Sequence, residues 1–381
     1  MHFLERFWML GASLSACCSA AHVTQDRLIS LSNEEYNGTT KVEFVTKALG
    51  QADFFKLDPA PNATTFDSWY FDAMNPLTNE TIIFNFEVQF PTDSSNVSQS
   101  LYRVTLYGSF ANGTAYSYEV EAENVNITEN DENGTRVAYF GRNDFSWSGT
   151  SLLKPRPVYT VTVNSTEVGI SGTLILQGSL AAPHYSCGID AAGVEQQTVP
   201  GVGWANAIPD ANATVSIHIH DTAISFEGYG YHDKTWVDRP FETSVQAAFW
   251  GHARVGPYAV VWWHSRTQDG LDISSEYLAR WADGQILASR CVQNRENNTL
   301  GWGKGQIWPL VPGTPAPAGM IIRWDLGDEG VFAMNLTSTG YIFVDVPFWQ
   351  AGRGAVIGGF EGQETFTDVT GLWTLNQLPQ L

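Results

Sequence analysis

Apolar and polar residues alternate with a period of two through long stretches of this chain. "YRVTLYGSF" (102–110), "YSYEVEAENVNI" (116–127) and "VYTVTV" (158–163) each put a hydrophobic side chain on nearly every second residue. That period fits a β-strand with one buried and one solvated face, and it does not fit an amphipathic helix. "TVSIHIHD", "AVVWWHS", "EYLARW", "QILASR" and "MIIRWDL" continue the pattern, and Asp283-Gly284 separates two such runs as a hairpin turn would. No long helical periodicity interrupts them, and no repeat of roughly 20–50 residues marks a propeller or solenoid. An all-β fold follows.

The alternation breaks within "APHYSCGIDAAGVEQQTVPGVGWANAIPDANA" (182–213), where proline, glycine and alanine cluster as in a linker or long crossover. With 381 residues, the chain divides there into two β-rich domains, expected at 22–200 and 201–381. Each is long enough for a β-barrel or a strongly curved sandwich.

The first residues, "MHFLERFWMLGASLSACCSAAHV", combine Arg6, an apolar stretch from Phe7 to Leu14, and small residues up to Ala21. This is the layout of a signal peptide over 1–21, too short to span a bilayer, and no later segment is long and apolar enough to do so. A protein of the secretory pathway is expected: luminal, vesicular or secreted. Asn37, Asn62, Asn79, Asn96, Asn112, Asn126, Asn133, Asn164, Asn212, Asn297 and Asn335 each open an N-glycosylation triplet. Removing the signal takes away Cys17 and Cys18 and leaves Cys187 and Cys291, which an oxidising compartment permits to pair, although two separate buried thiols fit equally well. The net charge of −20 with only 16% charged residues repels nucleic acid and anionic lipid, so neither is expected as a partner, and the 13% aromatic content favours an apolar organic ligand.

One stretch departs from the alternation. In "EGYGYHDKTWVDRPF" (227–241), aromatic, acidic and basic residues crowd together between glycines and a proline. The glycines weaken a strand but permit a bulge or close approach, which would put His232, Asp233 and Trp236 where a strand leaves the sheet at a barrel mouth. Asp233 has two readings: a turn residue bonded locally or paired with Lys234 or Arg239, or a catalytic group acting directly or through His232 or Tyr231. His218 and His220 share a strand face and, with His232, could suggest a metal, but no third-ligand motif supports one and none is expected. Trp262 and Trp263 are adjacent and must face opposite sides, so one of them, Trp263, can line a lumen. Trp69 and Tyr70 in "DSWYFDAMN" form a candidate aromatic lip from the first half. No nucleophile elbow, phosphate-binding loop, CxxC or dinucleotide fingerprint is present, so hydrolase, nucleotide and redox chemistry have no positive sign.

"GYGYHDKTW" resembles the G-Y-H-D-x-x-W segment of the family that joins bacterial hydroxyneurosporene synthase to fungal lipocalin-like Diels–Alderases. The length, the two β-rich halves and the closing "FEGQETFTDVTGLWTLNQLP" are similar to the fungal branch. The resemblance implies two packed lipocalin-like domains and an intramolecular 4+2 cyclase. Its substrate would be a linear polyene joined to a tetramic acid or pyrrolinone, supplied by a polyketide synthase–peptide synthetase hybrid. The product would be a fused isoindolone or decalin; secretory-route members resemble cytochalasan-pathway cyclases, which favours the isoindolone. Hydratase-like members carry a further His-Asn where this chain has Lys234-Thr235.

A cycloaddition needs a pocket that folds the polyene and a hydrogen-bond donor for the dienophile carbonyl; it needs no nucleophile, and no cofactor is expected. Asp233, His232 and Tyr231 are the candidate catalytic residues, and Trp236, Trp69, Tyr70 and Trp263 the candidate pocket wall. An isoprenoid hydratase and a non-catalytic binder of apolar metabolites stand as alternatives.

Overall fold

The two-residue period becomes two large antiparallel sheets. The computed structural model describes residues 26–88, 100–130, 132–140, 144–293, 301–302, 318–345 and 349–378. Among these residues lie a fifteen-stranded sheet, a nine-stranded sheet and a two-stranded ribbon, with one helical turn at Phe241–Ser244 and one 3-10 turn at Gly327–Glu329. The fold is all-β, as the alternation requires. The signal segment 1–21, Asn96 and Asn297 lie outside the described residues.

The first sheet holds strands from Arg27–Ser32 to Thr222–Val237, and the second runs from Val245–Val255 to Phe366–Gln377. The boundary between sheets therefore falls at 238–244 rather than near residue 200. The Pro/Gly/Ala-rich break ends early: the strand Val202–Ile219 starts inside it, absorbing Pro209 through register shifts between Asn206 and Ala211.

Three apolar clusters fill the molecule. One occupies the curl of the first sheet and includes Trp69, Phe71, Phe86, Trp147 and Trp236. Another lies inside the second sheet around Phe249, Trp262 and Trp373. The third lies between the sheets, where Tyr70, Tyr231 and Trp204 meet Trp250, Trp263 and Leu372. This layering explains the hairpin Val202–Ile219/Thr222–Val237. Its tip alternates buried and exposed, whereas the first ten residues of Val202–Ile219 are all buried. There one face looks into the barrel and the other at the second sheet, so no solvated face remains to impose alternation.

Further links cross the layer between sheets. Arg254 makes a two-pronged ion pair with Asp210, at 2.7 and 2.8 Å. A disulfide joins Cys187 to Cys291. Among the described sequons, Asn37, Asn79, Asn112, Asn126, Asn133, Asn164, Asn212 and Asn335 are exposed and Asn62 is half-buried. No helix among the described residues is long and apolar enough to cross a membrane.

Candidate active site

The strand Thr222–Val237 lies between Val202–Ile219 and Phe66–Met74, with Asp233 opposite both Asn206 and Tyr70, and Tyr231 opposite Asp72. Side chains at paired positions share a face, so Tyr231, Asp233, Asn206, Tyr70 and Asp72 all project into the layer between the sheets. Trp204, opposite Thr235, joins them. The second sheet answers with Trp250, His252 and Trp263.

The polar contacts form one connected set. Asp233 Oδ2 accepts the indole N–H of Trp204 at 2.9 Å and the phenol of Tyr231 at 2.8 Å. The Tyr231 oxygen also lies 3.1 Å from Asn206 Oδ1. A phenol has one proton, already given to Asp233; turning the Asn206 amide over would let its otherwise unpartnered NH2 donate to Tyr231 instead. Across the layer, His252 Nε2 is 2.8 Å from Asp72 Oδ2, and its ring stacks on Tyr231 with centroids 4.4 Å apart. Trp250 meets Tyr70 edge-on at 4.9 Å, and Trp263 packs on Trp204 at 4.9 Å.

Burial at 2% exposure pushes the Asp233 carboxyl from 3.8 up to about 7, and the nearby Asp72 adds to the rise. The hydrogen bonds from Trp204 and Tyr231 and the proximity of His252 oppose it without cancelling it. Among the described residues no hydrogen bond reaches Asp233 Oδ1. A neutral Asp233 then carries its proton on Oδ1, the oxygen that accepts no hydrogen bond among those residues. The result is a carboxylic acid donor, poised near neutrality and walled by aromatic rings.

The structure separates the other expected site residues by face. His232 points away from Asp233, because neighbours in a strand alternate. Its ring stacks on Phe71 at 4.0 Å, Nδ1–H donates to Tyr70 O at 2.8 Å, and burial lowers its pKa to about 3. Asp233 thus cannot orient His232, though it does engage Tyr231. Trp236 and Trp69 also line the barrel interior, where their N–H groups donate to Glu43 O and Asp53 O. Trp69 and Tyr70 do not form one lip: only Tyr70 reaches the layer between sheets, together with Trp263.

Neither Lys234 nor Arg239 pairs with Asp233. Lys234 is buried against Asp67 and over the Trp69 ring, and Arg239 pairs with Asp238. His218 and His220 face solvent while His232 is inside the barrel, so the three do not converge. The segment is no rim turn either: the strand runs unbroken to Val237, and Asp233 is held mid-sheet.

Trp204, Asn206, Asp72 and His252 escape the sequence reading. Asp72 had a signal, since an acid two residues after Tyr70 in the same strand must share its face. His252 likewise follows Trp250 by two.

The Diels-Alderase-like family model matches residues 24–299. The quinolone epoxide rearrangement protein asqO of Emericella nidulans is 33% identical over 336 residues, covering 87% of this chain and 88% of that protein. The quinolone epoxide rearrangement protein penF of Penicillium thymicola is also 33% identical, covering 87% of this chain and 91% of its own. The crystal structure of CghA with Sch210972 has the same fold, with a TM-score of 0.74 over 93% of this chain and 99% of that chain at 16% identity. By family match and by relatives the chain belongs to the Diels-Alderase-like family.

Proposed function

We propose that the chain is an intramolecular Diels–Alderase in which the neutral carboxyl of Asp233, assisted by Tyr231, donates a hydrogen bond to the carbonyl that activates the dienophile. The observation that carries this reading is the Asp233 acid itself, with Oδ2 accepting from two donors and Oδ1 without a hydrogen bond among the described residues, beside aromatic walls. Drawing electron density from the dienophile stabilises the transition state more than the bound polyene, so the donor accelerates closure. Tyr70, Trp250 and Trp263 supply flat walls against which a linear chain can fold until diene and dienophile meet. The substrate class is a polyene joined to a tetramic acid or pyrrolinone, made by a synthase–synthetase hybrid, and the product a fused ring system of the isoindolone type. Passage through the secretory pathway belongs to the same proposal, supported by the exposed sequon asparagines and the Cys187–Cys291 disulfide.

A second reading, acid-catalysed opening and rearrangement of an epoxide, is favoured by the quinolone epoxide rearrangement for which the two relatives at 33% identity are named. The same carboxyl would then transfer its proton rather than only share it. Asp233→Asn separates the two. Trp204 and Tyr231 would hold the amide oxygen at the Oδ2 position, leaving NH2 where Oδ1 was, still a donor but no longer an acid. Cyclisation should then stay within about tenfold of wild type, while a reaction needing proton transfer should lose roughly 100–10,000-fold. Asp233→Ala should slow cyclisation by roughly 100–1,000-fold. The measurement is turnover of the linear polyene with product ratios, on variants that circular dichroism finds folded. A folded Asp233→Ala protein that cyclises at the wild-type rate would remove Asp233 from the mechanism. Wild type that binds the polyene without speeding its closure would make the protein a binder.

A further inference from the structure

Arg353 stands apart from the half-buried arginines. Arg103, Arg254, Arg266 and Arg290 each meet a carboxylate, from Glu87, Asp210, Asp272 and Glu276 respectively. Arg353 is 7% exposed, and among the described residues it meets none. One of its five N–H groups, on Nη2, donates to Asn75 O at 3.2 Å. Nε and Nη1 are buried without a hydrogen-bond partner among the described residues. Burial lowers its pKa, and no charge among those residues opposes the shift, yet a guanidinium stays protonated, so the cation remains. An uncompensated buried charge is costly to the fold, and a single carbonyl contact does little to offset it.

Its position ties it to the candidate site. Arg353 pairs with Leu372 in the neighbouring strand, and Leu372 pairs with His252 in the next. Residues paired in this way share a face, so Arg353 looks into the layer between the sheets. Two strand spacings put its Cα about 10 Å from that of His252. The facing row of the first sheet runs Tyr231, Asp72, Ile83, Tyr107. Tyr107 packs on Phe343 at 5.2 Å and on Trp349 at 5.5 Å. The Tyr107 hydroxyl and the Trp349 indole N–H are also buried without a partner among the described residues. Guanidinium, phenol and indole are thus donors without acceptors there, in a layer whose first-sheet row also holds an unpartnered acceptor, Asp72 Oδ1.

We propose that Arg353 anchors an ionised oxygen, an enolate or carboxylate, on the flat head group of the substrate, one layer along from the acid at Asp233. The aromatic and aliphatic surroundings fit an organic anion with apolar faces better than a small hydrated inorganic one. The choice of head group rests on the cyclase reading; the anion anchor does not. In that arrangement the cation fixes one end of the substrate while the polyene lies along the aromatic wall towards Asp233.

The test uses two probes without a diene: a 3-acyl tetramic acid, ionised at neutral pH, and its neutral O-methyl ether. Binding is followed by calorimetry. Wild type should prefer the ionised probe by roughly 10–100-fold, the scale of a charge-assisted hydrogen bond in a buried setting. Arg353→Met should bring that ratio to within about threefold, and Arg353→Lys should keep part of it. A residue that merely ties the sheets together through Asn75 would lower thermal stability on substitution and leave the ratio alone. Equal affinity of wild type for the two probes overturns the proposal even if Arg353→Met does not fold, as does a folded Arg353→Met that keeps the preference. Because the probes cannot cyclise, an Arg353-dependent preference in a protein that fails to speed polyene closure would uphold the anchor and sink the cyclase.

Discussion

Trp204 and Tyr231 both donate to Asp233 Oδ2, so in the proposed mechanism the donated proton sits on Oδ1 and the rate should follow the ionisation of this one group. Its pKa is raised from 3.8 to about 7, so turnover should fall as pH rises through about 7 and level off on the acid side. Asp233→Asn, which cannot ionise, should lose that limb while keeping a slower, flat profile. A wild-type profile without an ionisation near neutrality would remove the acid from the mechanism. The same shift has a stability signature. Between about pH 4 and 7 the folded state keeps a proton that the unfolded state has lost, so the wild type loses stability relative to Asp233→Asn as pH rises across that window. Above it the difference is constant. The adjacency of His232 and Asp233 is plain in the sequence, but their separation by face is not. Reading His232, Asp233 and Trp236 as the place where a strand leaves the sheet suspends the two-residue rule that sends His232 into the barrel and Asp233 out of it.

At the scale of the element, the hairpin Val202–Ile219/Thr222–Val237 was half legible. Its tip carries the alternation of a one-sided strand, with Val215, Ile217 and Ile219 buried and His218 exposed. The other half is buried on both faces, and a doubly buried strand that must also hold polar groups has no period to read. Glycine is the remaining clue: a Cβ on Gly203 would lie 2.1 Å from the Trp236 ring, so the indole lies flat on that backbone. Trp236 is therefore a packing residue, and in the proposed site Trp263 serves as the wall. Trp236→Ala should cost about 3–5 kcal/mol of stability, with the product ratio of the folded fraction unchanged. Trp263→Ala should instead loosen binding and degrade stereochemical purity, since it faces Trp204 and Trp250 in the layer between sheets. Urea melts beside chiral chromatography of the products would reverse these roles if Trp236→Ala scrambled the product while Trp263→Ala only lost stability.

For the whole molecule, the decisive contacts join residues remote in sequence, as Asp72 and His252 are, 180 positions apart, and no local pattern announces them. Two curled sheets were legible from alternation; which faces meet was not. The seam is stitched along the segment before the hairpin, where Ala182 O and Ser186 O accept the hydroxyls of Tyr277 and Ser275 from the second sheet. Cys187 continues that row, and its disulfide reaches Cys291 in the edge strand Ile286–Gln293. The bond closes a loop spanning 104 positions, for which chain entropy gives about 4–5 kcal/mol. Replacing both cysteines by serine should lower the melting temperature by roughly 5–10 °C in a protein of this size. Turnover should fall at temperatures where the far-ultraviolet dichroism of the sheets is intact, because the acid stands on one sheet and His252, Trp250 and Trp263 on the other. Parallel loss of activity and sheet structure would mean that the bond stabilises the molecule generally and has no particular hold on the seam. The pairing also needs an oxidising compartment. Alkylation of protein from its native host, without prior reduction, should label neither Cys187 nor Cys291; labelling of both would overturn the pairing and withdraw its support from the secretory route.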